Sequence, residues 1–282
     1  MPRANSWWRD HRRWLELFVL VNIAFLALDI YLAHSVNQFR EPAEYWPFYF
    51  SLAAPLVMLI ALGADGVRPR GAVWRDLGYL VGWLSILMGM AGVILHLQSH
   101  FFYERTIKSL VYAAPFAAPL AYTGLGLLLV MNRMVDSDER EWPLWVLLLA
   151  LGGFFGNFVF SLTDHAQNGF YHATEWIPVI SSAIAVGFLT APFLTPVTRR
   201  FMALTAGILG VQAAVGVLGF FLHRAGNLAG VSPSRWENVV FGAPPLAPLL
   251  FPNLVLLAFI GLWVLRPLLP VSATAQADSQ AH

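Results

Sequence analysis

Six of the eight histidines lie in or beside polar connections between apolar stretches of the chain, and carboxylates accompany them at short spacing. The histidines are His34, His96, His100, His165, His172 and His223, and the carboxylates are Glu44, Glu104, Asp164 and Glu175. Neutral imidazole with carboxylate suits Zn, Fe, Mn or Cu(II), and two imidazoles equally suit a haem b. The chain has no cysteine, which excludes disulfides, thiolate ligands and cysteine nucleophiles.

The spacing of His96 and His100 gives the most specific prediction, because residues four apart share one face of a helix. Two such imidazoles can bind one metal ion, and Glu104 continues the stripe if the helix runs on. We therefore predict His96, His100 and Glu104 as metal ligands, with His34 as a further ligand. Glu104 is also predicted to act as a general base.

A second set comprises His165, Asn168, His172 and Glu175, whose spacing fits one helical face, although Asn168-Gly169 is also a turn signal. His165, His172 and Glu175 are predicted metal ligands, and Glu175 is a second candidate catalytic carboxylate. For a haem, the predicted axial ligands come from His96, His165 and His223. The alternative is that single histidines such as His34 and His223 are interfacial groups that bind nothing.

Composition places these groups in a membrane protein. Of the 282 residues, 58% are hydrophobic and 12% are charged, with a mean hydropathy of +0.62. Soluble domains carry about 25% charged residues. About 20 apolar residues cross the hydrocarbon core as a helix. We predict an all-α polytopic bundle of about eight transmembrane helices, near residues 15–34, 46–64, 77–98, 109–131, 143–163, 176–194, 200–222 and 246–265.

The arginines predict the orientation of the bundle. Basic residues concentrate in cytoplasmic connections, and alternate connections hold most of those in this chain: Arg3, Arg9, Arg12, Arg13, Arg68, Arg70, Arg75, Arg133, Arg140, Arg199, Arg200 and Arg266. Both termini are therefore predicted to be cytoplasmic, with the histidines near the opposite face. Nearly all basic residues are arginine, with Lys108 the only lysine, and this composition suggests a bacterial inner (plasma) membrane. We predict one transmembrane domain over residues 1–268 and a disordered cytoplasmic tail over 269–282.

A fourfold internal repeat is predicted from the outer connections. Each contains a histidine followed by a glutamate, and in three of them a proline follows that glutamate at the same interval: Glu44 and Pro55, Glu104 and Pro115, Glu237 and Pro248. Each unit would be one helical hairpin, so the four outer ends would converge about the membrane normal. The prolines would lie inside kinked even-numbered helices.

Four hypotheses about the function remain open. The first is a membrane metalloprotein with redox or hydrolytic chemistry, acting on a lipid or quinone substrate from the bilayer. The second is a haem b or quinone electron-transfer subunit. The third is a transporter, and the fourth is an assembly subunit that docks a membrane or periplasmic protein partner. The sequence lacks a phosphate-binding loop and a nucleophile elbow, and it offers no basic platform for nucleic acid. Whether it is an enzyme stays open.

Overall fold

The computed structural model describes residues 10–112 and 114–269, and in this part of the chain all regular structure is helical. Eleven α-helices follow one another: α1 His11–Ser35, α2 Tyr45–Val67, α3 Ala72–Gln98, α4 Phe101–Glu104, α5 Ile107–Val111, α6 Leu120–Met134, α7 Glu141–Gln167, α8 Trp176–Leu194, α9 Arg199–Leu228, α10 Arg235–Val240 and α11 Leu250–Leu265. Short 3-10 turns comprise Pro42–Glu44, Ala173–Glu175, Ala247–Leu249 and Arg266–Leu268.

Seven of the helical segments in the described residues are long and apolar enough to cross a membrane. They contain α1, α2, α3, α7, α8, α9 and α11. Large apolar side chains such as Leu56, Ile60 and Leu87 are exposed on them, as expected of helices whose outer surface meets lipid. The chain is therefore a multi-pass helical membrane protein. The one remaining predicted span, the fourth along the chain, corresponds to α6, an apolar helix of 15 residues.

The fourth predicted span starts too early. It was expected from residue 109, but α6 begins at Leu120. Thr106 closes a capping box with Ser109 and starts the separate short helix α5. Pro115 and Pro119 follow, and a proline lacks the N–H that a continuous helix needs. The prolines of the predicted repeat also differ in context, because Pro55 lies inside α2 while Pro115 and Pro248 precede α6 and α11.

By its internal contacts the chain divides into two compact units. Unit 1 comprises Met1–Met134 with Val217–Leu250, and unit 2 comprises Val135–Gly216 with Phe251–His282. The predicted single domain over 1–268 and the fourfold symmetry both stay predictions. The predicted tail, apart from residue 269, and the basic residues Arg3 and Arg9 lie outside the described residues.

In unit 1, α1 packs against α2 and α6, and α3 packs against α2 and α6. Glycine permits the close approach of α3 to α6, because a Cβ on Gly82 would lie 2.9 Å from Val130 Cγ2 and 3.1 Å from Gly126 O. Small residues at helix contacts are typical of membrane bundles, in which close van der Waals packing drives association. This packing brings the C-terminal ends of α1 and α3 side by side, and both ends carry a histidine.

At the other end of unit 1, charged side chains are buried between these helices. Glu16 of α1 accepts hydrogen bonds from Asn132 Nδ2 at 2.8 Å and Arg133 Nη1 at 2.7 Å, and Arg133 Nη2 donates to its second oxygen at 3.1 Å. The Arg133 guanidinium also stacks over the Trp74 ring at 4.4 Å. Gly78 leaves room for it, because a Cβ there would overlap the guanidinium. This buried pair locks α1, α3 and α6 together.

Candidate functional site

The connection between α1 and α2 positions a histidine beside a glutamate. His34 lies in the last turn of α1, and Glu44 ends the 3-10 turn that leads into α2. Phe39 adopts a positive φ of 52°, and its N–H donates to His34 O at 3.1 Å, which turns the chain back. The Phe39 ring packs on His34 at 5.7 Å and stacks on Tyr45 at 4.8 Å. This tight turn holds the imidazole and the carboxylate on the same side.

The nitrogen–oxygen distance of the His34–Glu44 pair is longer than that of a charge-assisted hydrogen bond. His34 Nδ1 lies 3.4 Å from Glu44 Oε2, and the two side chains are only 19% and 12% exposed. Charge-assisted N–H···O bonds are shorter, about 2.7–2.9 Å. Glu44 Oε1 accepts from Asn37 Nδ2 at 2.6 Å, whereas Oε2 is buried and has no hydrogen-bond partner. A buried, unsatisfied carboxylate oxygen is costly unless a cation or donor reaches it.

A second imidazole reaches the pair from α3. The rings of His34 and His96 have centroids 6.2 Å apart and meet edge to face at 61°. His96 Nδ1 lies 2.9 Å from Pro115 O, a carbonyl that can only accept, so Nδ1 carries the proton. In the neutral ring Nε2 then keeps its lone pair. Metal-ligating histidines use this arrangement, with the other ring N–H donated to a carbonyl or carboxylate.

Two hydroxyl groups meet between α6 and α2 in unit 1. Tyr122 of α6 donates its hydroxyl to Pro47 O at 2.8 Å and lies 2.5 Å from Ser51 Oγ of α2. Asp29, five residues before His34 on α1, is half-buried. Neither Tyr122 nor Ser51 was among the residues singled out from the sequence. The only signal for Ser51 was its position two helical turns after Glu44.

Unit 2 contains a second histidine–glutamate pair, in the connection between α7 and α8. His165 Nδ1 lies 3.6 Å from Glu175 Oε2, with side chains 20% and 17% exposed. Glu175 Oε2 is buried without a hydrogen-bond partner, as Glu44 Oε2 is. The predicted helical face of His165, Asn168, His172 and Glu175 does not form, because α7 ends at Gln167 and His172 is extended. The turn that Asn168-Gly169 signalled is present, with a φ of 65° at Gly169.

His223 of α9, in unit 1, makes the same kind of contact as His96. Its Nδ1 lies 2.8 Å from Pro244 O, so Nδ1 again donates. Asn227, one turn further on, donates to Ala243 O at 2.9 Å. Gly219, one turn before His223, packs closely on Pro248, because a Cβ there would lie 3.0 Å from Pro248 Cβ. Among the described residues, His96 and His223 are therefore oriented by a proline carbonyl, and His34 and His165 lie in shielded pairs with a glutamate.

The helical stripe predicted for His96, His100 and Glu104 is absent. Helix α3 ends at Gln98, and His100 has a φ of −153°, which directs the chain away from the helix axis. His100 Nε2 and Glu104 Oε2 lie 4.0 Å apart with both side chains about half exposed. His172 is likewise exposed, with its ring against Tyr171 at 4.8 Å. His100, Glu104 and His172 therefore lie outside the shielded pairs. The structure instead groups His34 with Glu44 and His96.

As they stand, no three histidine, aspartate or glutamate side chains among residues 10–112 and 114–269 converge on one metal position. The donor types near His34 nevertheless suit a transition metal, and the unpartnered Glu44 Oε2 offers a ligand atom. Comparison of the chain with protein-family models, with curated proteins and with solved structures finds no match in any of the three. Function is therefore inferred from the chemistry of the site itself.

Proposed function

We propose that this protein is a membrane metalloprotein whose transition-metal ion is held by His34, Glu44 and His96, with redox or hydrolytic chemistry at the non-cytoplasmic face. The observation that carries the proposal is the 3.4 Å separation of His34 Nδ1 and Glu44 Oε2. Two donors bound to one ion at about 2.1 Å with a tetrahedral angle lie about 3.4 Å apart. The separation of this ion pair is therefore also one that two ligands of a single ion can adopt.

The other ligands follow from the contacts around this pair. His96 offers Nε2, because its Nδ1 is bound to the Pro115 carbonyl. Asn37 orients the glutamate by binding its other oxygen, which is the usual role of a residue that supports a metal ligand. Three protein donors leave a fourth position for water or substrate, as in catalytic zinc sites. Zn, Fe, Mn and Cu are all compatible with two imidazoles and one carboxylate.

The substrate proposed is a lipid or a quinone, because the site adjoins an aromatic groove. The groove has a volume of about 460 Å³ and is shallow, with most of its surface open. Its lining residues are Phe39, Arg40, Pro42, Tyr45, Trp46 and Tyr49. Phe39 contacts both the groove and the His34 ring. An aromatic, partly apolar cleft with one cation suits the head of a membrane-soluble molecule better than a free polar metabolite.

Haem b ligation is the second candidate, and the contacts of His96 and His223 favour it. Each imidazole donates Nδ1–H to a proline carbonyl and keeps Nε2 for a ligand. Two such histidines could provide the axial ligands of a haem b, whose potential and reactivity the axial ligands set. A reducible Soret and alpha band in the purified protein would support this candidate, and a spectrum without them would remove it.

The test is elemental analysis and an absorption spectrum of the full chain purified in mild detergent. We expect bound metal, and the double variant His34→Gln with Glu44→Gln should lose one metal equivalent per chain. His96→Gln should weaken binding by about 10-fold or more, the scale seen even for supporting residues. His100→Gln is the matched control, because that imidazole is exposed and outside the pair. A metal-free wild type, or site variants that keep all their metal, would refute the proposal.

We also infer the finer topology. Helix α6 is proposed as the eighth span, since 15 residues rise about 22 Å and the turn over residues 115–119 lengthens the segment. An even number of spans would put both termini on the same side, and the arginine distribution makes that side the cytoplasmic one. The inner membrane of a bacterium is the proposed location.

A further inference from the structure

The turn that holds His34 and Glu44 recurs in unit 2, although the two sequences differ at most positions. His165, Phe170 and Glu175 each follow their counterparts His34, Phe39 and Glu44 at one constant interval along the chain. The two glutamates both end a 3-10 turn, and each is followed by an aromatic residue that opens the next helix. The recurrence therefore involves the residues that build the pair.

The backbone path of the two turns agrees in detail. Phe170 has the same positive φ of 52° as Phe39. Its N–H donates to His165 O at 3.0 Å, as Phe39 N–H donates to His34 O at 3.1 Å. The Phe170 ring stacks on Trp176 at 3.9 Å, as Phe39 stacks on Tyr45 at 4.8 Å. A positive φ is uncommon for a bulky residue, so its repetition at matching places indicates that the same turn is formed twice.

The side chains repeat the feature from which the first site was inferred. His165 Nδ1 and Glu175 Oε2 are 3.6 Å apart, close to the separation of two tetrahedral ligands and too far for a hydrogen bond. Glu175 Oε2 is buried and has no hydrogen-bond partner. Among the described residues, Glu44 and Glu175 are the only carboxylates whose oxygens are left in this state.

We propose that the chain holds a second metal ion, of the same class as the first, with His165 Nδ1 and Glu175 Oε2 as ligands. The protein is then a two-site metalloprotein with one histidine–glutamate pair in each unit. This inference rests on the proposed function, because the two pairs share their ligand chemistry. It goes beyond that function because it assigns the second pair a separate ion.

The experiment measures metal per chain in the full-length protein after loading with Co²⁺ alone and removal of excess ion. Wild type should retain two equivalents. The variant His165→Gln with Glu175→Gln should retain one, as should His34→Gln with Glu44→Gln, and the four substitutions together should retain none. His172→Gln is the control, because it lies in the same connection but its side chain is exposed. Cobalt's visible bands would report whether each retained ion is tetrahedral.

The outcomes separate the two proposals. One equivalent in wild type that disappears with His34 and Glu44, and persists without His165 and Glu175, overturns the second site and leaves the first. No retained cobalt, or retention insensitive to all four substitutions, overturns both. If the His165 and Glu175 double variant does not give a monodisperse protein, Glu175→Asp keeps the charge and shortens the ligand. A folded Glu175→Asp protein that still holds two equivalents at unchanged affinity would also overturn the second site.

Discussion

Removal of the Glu16 carboxylate should be the most destabilising single change at the buried ion pair of unit 1. Glu16 and Arg133 have side chains 2% and 0% exposed, and both carboxylate oxygens accept from the guanidinium. The variant Glu16→Ala leaves the Arg133 charge buried without its partner. Loss of one member of a buried pair costs about 3–5 kcal/mol. Because whole domains are stable by about 5–15 kcal/mol, this is a large share of the total.

The assay is equilibrium unfolding in mixed mild-detergent and SDS micelles, followed by tryptophan fluorescence. Asp76→Ala is the control, because its pair with Arg75 is exposed and exposed pairs contribute little. The double variant Glu16→Met with Arg133→Met should recover most of the loss, since no charge is then left unpaired. A loss below about 1 kcal/mol for Glu16→Ala would contradict the assigned role of the pair. So would a double variant as unstable as the single one.

Two further predictions concern packing and topology. Gly78→Ala should lower the free energy of unfolding by about 1–3 kcal/mol, because its methyl group would displace the Arg133 guanidinium. Gly63→Ala is the control and should be neutral or stabilising, because a Cβ on Gly63 would have no atom within 4 Å. The same unfolding assay compares them, and equal effects would contradict the packing argument. Since the chain has no native cysteine, an impermeant thiol reagent on intact cells should label Val231→Cys and leave Asp138→Cys unlabelled. The reverse pattern would invert the proposed orientation.

The membrane spans could be predicted from the sequence because the hydropathy of a segment depends only on the residues within it. The predicted 176–194 span coincides with α8. The first three predicted spans lie inside α1, α2 and α3, whose ends extend up to five residues beyond them. The start of α6 was not predictable in this way, since the residues before it are also apolar. The capping box of Thr106 and Ser109 and the prolines after it decided that boundary.

For the proposed site, the sequence named the candidate residues but not their arrangement. The spacing of His96 and His100 fits a helix, but Ser99 Oγ donates to His96 O and accepts from Ala114 N, so α3 ends there and His100 turns away. In contrast, His34 and Glu44 are ten residues apart and share no periodicity. They meet because Phe39 takes a positive φ and a 3-10 turn follows.

Composition and hydropathy by themselves determined that this chain is a helical membrane protein with its imidazoles near helix ends. Apolar length and scarce charge are properties of each segment alone, so no contact between segments was needed to establish them. Tertiary structure alone decided which groups face one another: His34 with Glu44 and His96, and His165 with Glu175. Those contacts depend on the conformation of the turns and on the close packing of α1 and α3 with their neighbours. Both are consequences of the fold that spacing along the chain does not encode.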